Sequence, residues 1–257
     1  MKLTFPFGSQ LQKVEQKDKT SKKVFVLGVY ASAVHARWIG ADGKIKVKAL
    51  AVASEPYIFW KGDNAEQVIK EINIPQEAGK LIPAEKRFGG PSGNALDELF
   101  LKPLGYTRED AWLCDLLPYS RINPHQQEAL DKHYNPLIKK FNLPVCNIPN
   151  FDIAELKNLV RVNEIADELE QSQAGKIILL GDSPIEFFLS HFSNYRKLSD
   201  FGCTNDEYGK EHLITIRDKT YSVIPLVHPR QAAALGRSSW KWKNLHSRWI
   251  ITSTVKK

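Results

Sequence analysis

The residues of this chain best suited to chemistry are His228 and Asp115, each at a point where an apolar run stops. The clearest case is YSVIPLVHPRQ, residues 221–231, which is apolar up to His228 and Pro229 and turns basic at Arg230. A β-branched, apolar run of this length reads as a buried strand. His228 then sits at the strand's carboxyl end, where open α/β sheets hold their ligand crevice. Three other runs end alike: VFVLG closes at Gly28, AWLCD at Asp115, and KIILLGD at Gly181 and Asp182. Imidazole and carboxyl groups give and take hydrogen bonds, so four parallel strand ends would gather polar chemistry around one pocket. Gly28 opens the run Gly28-Val29-Tyr30-Ala31-Ser32. A glycine there allows a tight turn with amides facing a ligand, but the spacing matches neither a dinucleotide nor a P-loop fingerprint.

These residues need a scaffold, and the pattern supplies one. Residues 24–28, 112–117, 177–180 and 221–227 read as buried strands, and residues 44–53 as a half-exposed one after a turn at Ala41-Asp42-Gly43. Helical spacing covers residues 65–72, 94–101, 126–140, 152–171 and 240–250, and Pro184 is expected at the first position of a further helix. Pro75, Pro83 and Gly89-Gly90-Pro91-Ser92-Gly93 mark a long loop, a length that in a compact domain is usually functional. Residues 212–216 and 221–227 suggest a hairpin across Arg217-Asp218-Lys219-Thr220. Strands alternating with helices predict a three-layer α/β/α sandwich with a central, mainly parallel four-stranded sheet.

With 257 residues the chain can bury a full core, and one domain over residues 24–257 is expected. Residues 1–23 combine FPFGS with the mixed-charge run QKVEQKDKTSKK and form an arm that packs its two phenylalanines, or a loose tail. They lack a signal peptide's apolar core, and no later stretch is long enough to span a bilayer, so a soluble, cytoplasmic, monomeric protein without a membrane partner is expected. Cys114, Cys146 and Cys203 are odd in number and far apart, which argues against a disulfide framework or a four-thiolate metal cluster and for a reducing compartment. No metal and no cofactor are expected. The net charge of +7 and pI near 9.2 favour a polyanionic partner.

Several segments, in order, resemble the uracil-DNA glycosylase superfamily, closest to the branch that normally carries an iron-sulfur cluster. FGGPSGNALDELFLKPLGYTREDAWLCDLLPYSRINP, residues 88–124, is similar to that branch's phenylalanine-glycine loop, helix and second strand. KIILLGDSPIEFF resembles its third strand, and VIPLVHPRQAAALGRSSWKWKNLHSRW its histidine-proline motif and last helix. The resemblance covers most of residues 24–250. The individual motifs are short, and their order and spacing carry the weight.

The resemblance implies a flipped base held in a snug pocket. Phe88 matches the stacking ring, Gly28, Val29 and Tyr30 line the pocket, and Asp115 falls where the family usually has an asparagine that reads the uracil edge. An ionised aspartate only accepts hydrogen bonds, so this departure would suit an exocyclic amino group better than a carbonyl. An aspartate capping the following turn is the bland alternative. His228 matches the histidine that steadies negative charge on the leaving base, a role for which one fixed tautomer is best; a histidine capping the helix at Pro229 is its alternative. Arg230, Gln231 and Leu235 match the loop that enters the duplex. Arg237, Lys241 and Lys243 are candidates for phosphate contacts, with Trp240 and Trp242 expected to pack the last helix.

The first motif departs from the family. Val29 and Tyr30 stand where relatives place a water-activating Asp, Glu or Asn, and no carboxylate follows before Asp42; His35, Ser32 and Asp115 are the substitutes. The cluster cysteines are also missing. The expected function is removal of a damaged or deaminated base from double- or single-stranded DNA by N-glycosidic hydrolysis, with His228 and Asp115 catalytic. The alternatives are a non-catalytic nucleic-acid-binding protein of the same fold, and a hydrolase of free nucleosides.

Overall fold

The computed structural model describes residues 2–235 and 239–255. In chain order the strands and helices are β1 (Val24–Tyr30), β2 (Ala33–Ile39), β3 (Ile45–Ser54), α1 (Ala65–Lys70), β4 (Lys80–Pro83), α2 (Pro91–Leu96), α3 (Lys102–Leu104), β5 (Ala111–Leu117), α4 (Pro124–Ala129), α5 (Ile138–Phe141), α6 (Leu159–Ser172), β6 (Lys176–Leu180), α7 (Asp182–Phe187), β7 (His212–Ile216), β8 (Lys219–Leu226), α8 (Pro229–Ala232) and α9 (Trp240–Val255). One π-helical turn, Asp97–Leu101, joins α2 to α3. Contacts divide the chain into two compact units. Unit 1 is residues 1–14, 30–91 and 118–152; unit 2 is residues 15–29, 92–117 and 153–257.

Unit 2 is α/β. Its sheet has five strands in the order β5-β1-β6-β8-β7, one more than the four expected. β1 pairs with β6 and β6 with β8 in parallel, whereas β7 closes the edge antiparallel to β8. The extra strand is the first arm of the hairpin, turning at Arg217 (φ 53°). The central strands are buried because both faces are covered, which is why they read as unbroken apolar runs rather than alternating ones. Asn158 caps α6 by accepting the amides of Val160 and Arg161, and the helix turns Val162, Ile165, Ala166 and Leu169 inward. At α7 the sequence expectation needs correction. The helix begins at Asp182, so Pro184 stands at its third position rather than its first.

Unit 1 is built on a three-stranded antiparallel sheet, β3-β2-β4. β2 and β4 are absent from the sequence expectation, and β4 interrupts the long loop. Val34, Ala36 and Trp38 point from β2 into a core that also holds Leu50, Val52, Trp60 and Tyr134. Phe5 and Phe7 belong to that core. Phe7 meets Trp38 and Tyr134 edge to face, and its backbone N–H donates to the Tyr134 hydroxyl at 2.8 Å. Among the described residues no helix is long and apolar enough to cross a membrane.

Candidate functional site

Strand register fixes the carboxyl edge of the unit 2 sheet. Leu27 pairs with Leu179, Leu179 with Pro225 and Leu180 with Leu226, so Gly181 and the Val227-His228 step leave the sheet side by side, whereas β1 continues past Gly28 to Tyr30, two residues beyond the end expected from the sequence. Gly181 adopts φ 93° and ψ −173°, a region open only to glycine. Its N–H donates to the Leu226 carbonyl at 2.7 Å, and a Cβ on it would lie 3.3 Å from the His228 Cβ. Glycine is required here by backbone conformation, and the nearness of the His228 Cβ and backbone leaves little room for a side chain.

His228 caps α8 and Pro229 is the first helical residue. The His228 Nδ1 accepts the backbone N–H of Arg230 at 3.1 Å. The capping role and a functional role are therefore compatible, because the cap itself selects the tautomer. Burial, helped by the Arg230 charge, lowers the imidazole pKa from 6.5 to about 4. At neutral pH the ring is uncharged, with its proton on Nε2, and Nε2 has no partner among the described residues.

The backbone just before His228 is held by a buried relay that sequence reasoning missed. The Val227 N–H donates to the Tyr208 hydroxyl at 3.0 Å, Tyr208 donates to His246 Nδ1 at 2.8 Å, and His246 Nε2–H donates to the Leu99 carbonyl at 2.9 Å. Burial keeps His246 neutral by lowering its pKa to about 4, and raises that of Tyr208. His246 falls on the inner face of α9, the one sequence signal that could have marked it.

Asp115 is 3% exposed on β5. Trp112 donates from Nε1 to Glu168 on α6, and Cys114 Sγ accepts from Arg161 on the same helix, so alternation turns the Asp115 side chain to the opposite face. Arg161 donates to the Asp115 main-chain carbonyl at 2.7 Å, whereas the carboxyl group has no hydrogen bond among the described residues. It caps no turn. Burial raises its pKa from 3.8 to about 7, with Arg161 opposing and Glu168 reinforcing the shift. This corrects the expectation of a fully ionised, accept-only side chain: near pH 7 much of the population is protonated and offers one donor and one acceptor. β5 and β8 are separated by β1 and β6, a lateral distance of three strand spacings or about 14 Å.

The segment after α8 closes on itself. Arg230 Nε donates to the Leu235 carbonyl at 3.3 Å, the Leu235 N–H donates to the Arg230 carbonyl at 2.9 Å, and Gln231 Nε2 donates to the Ser239 carbonyl at 2.9 Å. Arg237 lies outside the described residues. Lys241 lies over the Trp242 ring at 5.7 Å and Lys243 over the Trp240 ring at 4.6 Å. Trp242 approaches Tyr208, as a packing residue should, but Trp240 is 71% exposed and does not pack.

Gly28, Val29, Asp115 and His228 thus fall in unit 2, whereas Tyr30 and Phe88 group with unit 1. Phe88 ends a 3-10 turn, half-buried, with the Arg87 guanidinium 4.8 Å from its ring centre. The glycines that follow it are fixed by a backbone crossing. Gly90 (φ 68°) packs on the chain at Trp60 to Gly62, and a Cβ on Gly62 (φ 88°) would lie 2.6 Å from the Gly89 carbonyl oxygen. Tyr30 stacks on Phe151 at 4.9 Å, and both line a cavity of about 1010 Å³ with Asn123, Gln127, Asp131 and Asn150. Phe88, Asp115 and His228 do not line it.

The substitutes for a water activator differ sharply. Ser32 is exposed, with its carbonyl accepting from Ser120, and His35 is neutral because burial lowers its pKa to about 4. Both group with unit 1. Among the described residues no cluster of three metal-ligating side chains occurs, and all three cysteines are free. No protein-family model matches the chain, and a search of curated proteins finds no match to it.

Proposed function

We propose that the chain is a uracil-DNA glycosylase-like protein that removes a damaged or deaminated base from DNA by hydrolysing its N-glycosidic bond. The observation that carries this reading is His228: a neutral imidazole at the carboxyl edge of a mostly parallel sheet, with Nδ1 occupied and Nε2–H without a partner among the described residues. As the bond between the anomeric carbon and the base nitrogen breaks, its electron pair passes to the base. A hydrogen bond from Nε2–H to a base oxygen stabilises that charge without transferring a proton, the role suited to an imidazole that titrates near 4. Water adds to the anomeric carbon, and the proton it loses passes through solvent to the departed base.

Asp115 reads the base edge. In its protonated form it offers the donor and acceptor that an asparagine would, so a deaminated pyrimidine with carbonyl and imide groups fits it. Phe88 supplies the stacking ring, Arg230, Gln231 and Leu235 the duplex-entering loop, and Lys241 and Lys243 the phosphate contacts. The +7 net charge supports a polyanionic partner. The test is incubation of the purified protein with oligonucleotides bearing uracil, hypoxanthine, xanthine or mismatches, followed by cleavage of abasic sites. Abasic product from at least one lesion is expected, and none from any lesion removes the enzyme reading.

One observation favours the non-catalytic alternative. β2 starts at Ala33, three residues after β1 ends, and the connection holds only Ala31 and Ser32, with no carboxylate to orient water. Tight, salt-sensitive binding without turnover on the same panel selects that reading.

A further inference from the structure

We propose that the Arg37, Glu85 and Arg87 ladder in unit 1 is a seat for one phosphodiester of a single-stranded nucleic acid, with Glu85 as a built-in placeholder that the phosphate displaces. The inference deepens the nucleic-acid reading above and rests on it. Arg37 projects from β2, and Glu85 and Arg87 come from the turn that leads into Phe88. Glu85 divides its carboxylate between the two arginines. Oε1 accepts from Arg37 Nη2 at 2.9 Å and Oε2 pairs with Arg87 Nε at 3.0 Å.

That division leaves a deficit. Among the described residues Arg37 Nε is buried and makes no hydrogen bond, so a guanidinium built to donate two parallel bonds donates only one. A buried unpaired donor is costly, and a ligand with more acceptor oxygens can recover that cost. A phosphodiester brings two non-bridging oxygens, two ester oxygens and a full negative charge. Lys86, exposed and unpaired among the described residues, adds a positive charge beside the ladder.

Phe88 selects a nucleic acid over other phosphates. Arg87 is both the partner of Glu85 and the cation over the Phe88 ring. When Arg87 turns to a phosphate it uncovers an aromatic face beside that phosphate, the pairing of stacking ring and basic contact by which single strands are bound. The crossing of Gly62 with Gly89 and Gly90 fixes the turn in place.

Fluorescence anisotropy with a labelled, undamaged oligothymidylate tests this in the full chain. Glu85→Gln is expected to tighten binding several-fold. Arg87→Gln is expected to weaken it about tenfold and to lower the slope of log K against log salt by about 0.7. Phe88→Ala is expected to weaken binding to the oligothymidylate but not to an abasic strand of equal length. Arg37→Gln should match Arg87→Gln. If that half-buried substitution unfolds the protein, the exposed Glu85 and Arg87 variants decide. Unchanged or weaker binding by Glu85→Gln overturns the proposal. So does equal competition by inorganic phosphate or a phosphoserine peptide with no effect of Phe88→Ala, which would mark a phosphate site without a base. The strands carry no lesion, so this pattern can stand where base release fails, and base release can occur where this pattern is absent.

Discussion

The backbone N–H of Arg230 donates to Nδ1 of His228, two residues earlier, at 3.1 Å. A helix cap thus decides which nitrogen of an edge imidazole carries the proton, and leaves Nε2–H free to donate. We expect His228 to remain the neutral Nε2–H tautomer from pH 8 down to about 5, since burial holds its pKa near 4. Nitrogen-15 chemical shifts of the ring check this. Protonation near pH 6.5 would contradict it.

Base release should depend on that donor. His228→Ala is expected to slow abasic-site formation by two orders of magnitude or more, the size of losing one charge-stabilising donor. Single-turnover rates on the responsive lesion measure it, with thermal unfolding recorded in parallel to separate loss of donor from loss of fold.

Asp115 predicts a pH dependence with a definite sign. Its pKa is about 7 in the folded chain and near 3.8 when unfolded, so between those values the folded state holds the extra proton. Its contribution to stability therefore falls as pH rises from 4 to 7, by roughly tenfold in the folding equilibrium per pH unit, and is constant above. His35, His228 and His246 have lowered pKa values, so theirs has the opposite sign and is lost as pH falls from 6.5 to 4. Asp115→Asn should remove only the first term. Denaturant unfolding of parent and variant from pH 5 to 8 should show the variant gaining relative stability as pH rises.

The relay from Val227 through Tyr208 to His246 should behave as one unit. Tyr208→Phe leaves the Val227 N–H and His246 Nδ1 unpaired, at an expected cost of about 1–3 kcal/mol. A cycle of Tyr208→Phe and His246→Leu should give a coupling of about 1 kcal/mol, because removing both partners costs less than the sum of removing each. Additive effects would mean that the two groups act separately.

Gly181→Ala should destabilise the chain by about 1–3 kcal/mol from backbone strain alone. The added Cβ also presses on the His228 Cβ, so the Nε2–H resonance of His228 is expected to shift in the folded variant.

The strands at the centre of unit 2 were legible because both of their faces are buried, which leaves unbroken runs such as VFVLG and KIILL. β2 was not. AVHARWI alternates correctly, with Val34, Ala36 and Trp38 inward, but it follows β1 so closely that it reads as the loop after that strand. β4 has four residues and ends at Pro83, so its proline reads as a breaker. At the site, His228 was visible because a polar residue ends an apolar run. His246 was hidden in an amphipathic helix, and the ionisation of Asp115 depends first on its burial, and then on the charges of Arg161 and Glu168, all of which arise only in the folded chain.

The five-stranded sheet also bears on the order in which the chain is made. β1 leaves the ribosome first, yet both of its neighbours, β5 and β6, are encoded much later, and β8 closes the parallel set only near the carboxyl terminus. Val24 to Leu27 are an apolar strand with two open edges until β5 is made and with one until β6 is made. The growing chain therefore carries an incompletely paired apolar strand until β6 is made, an interval open to aggregation before the sheet is complete.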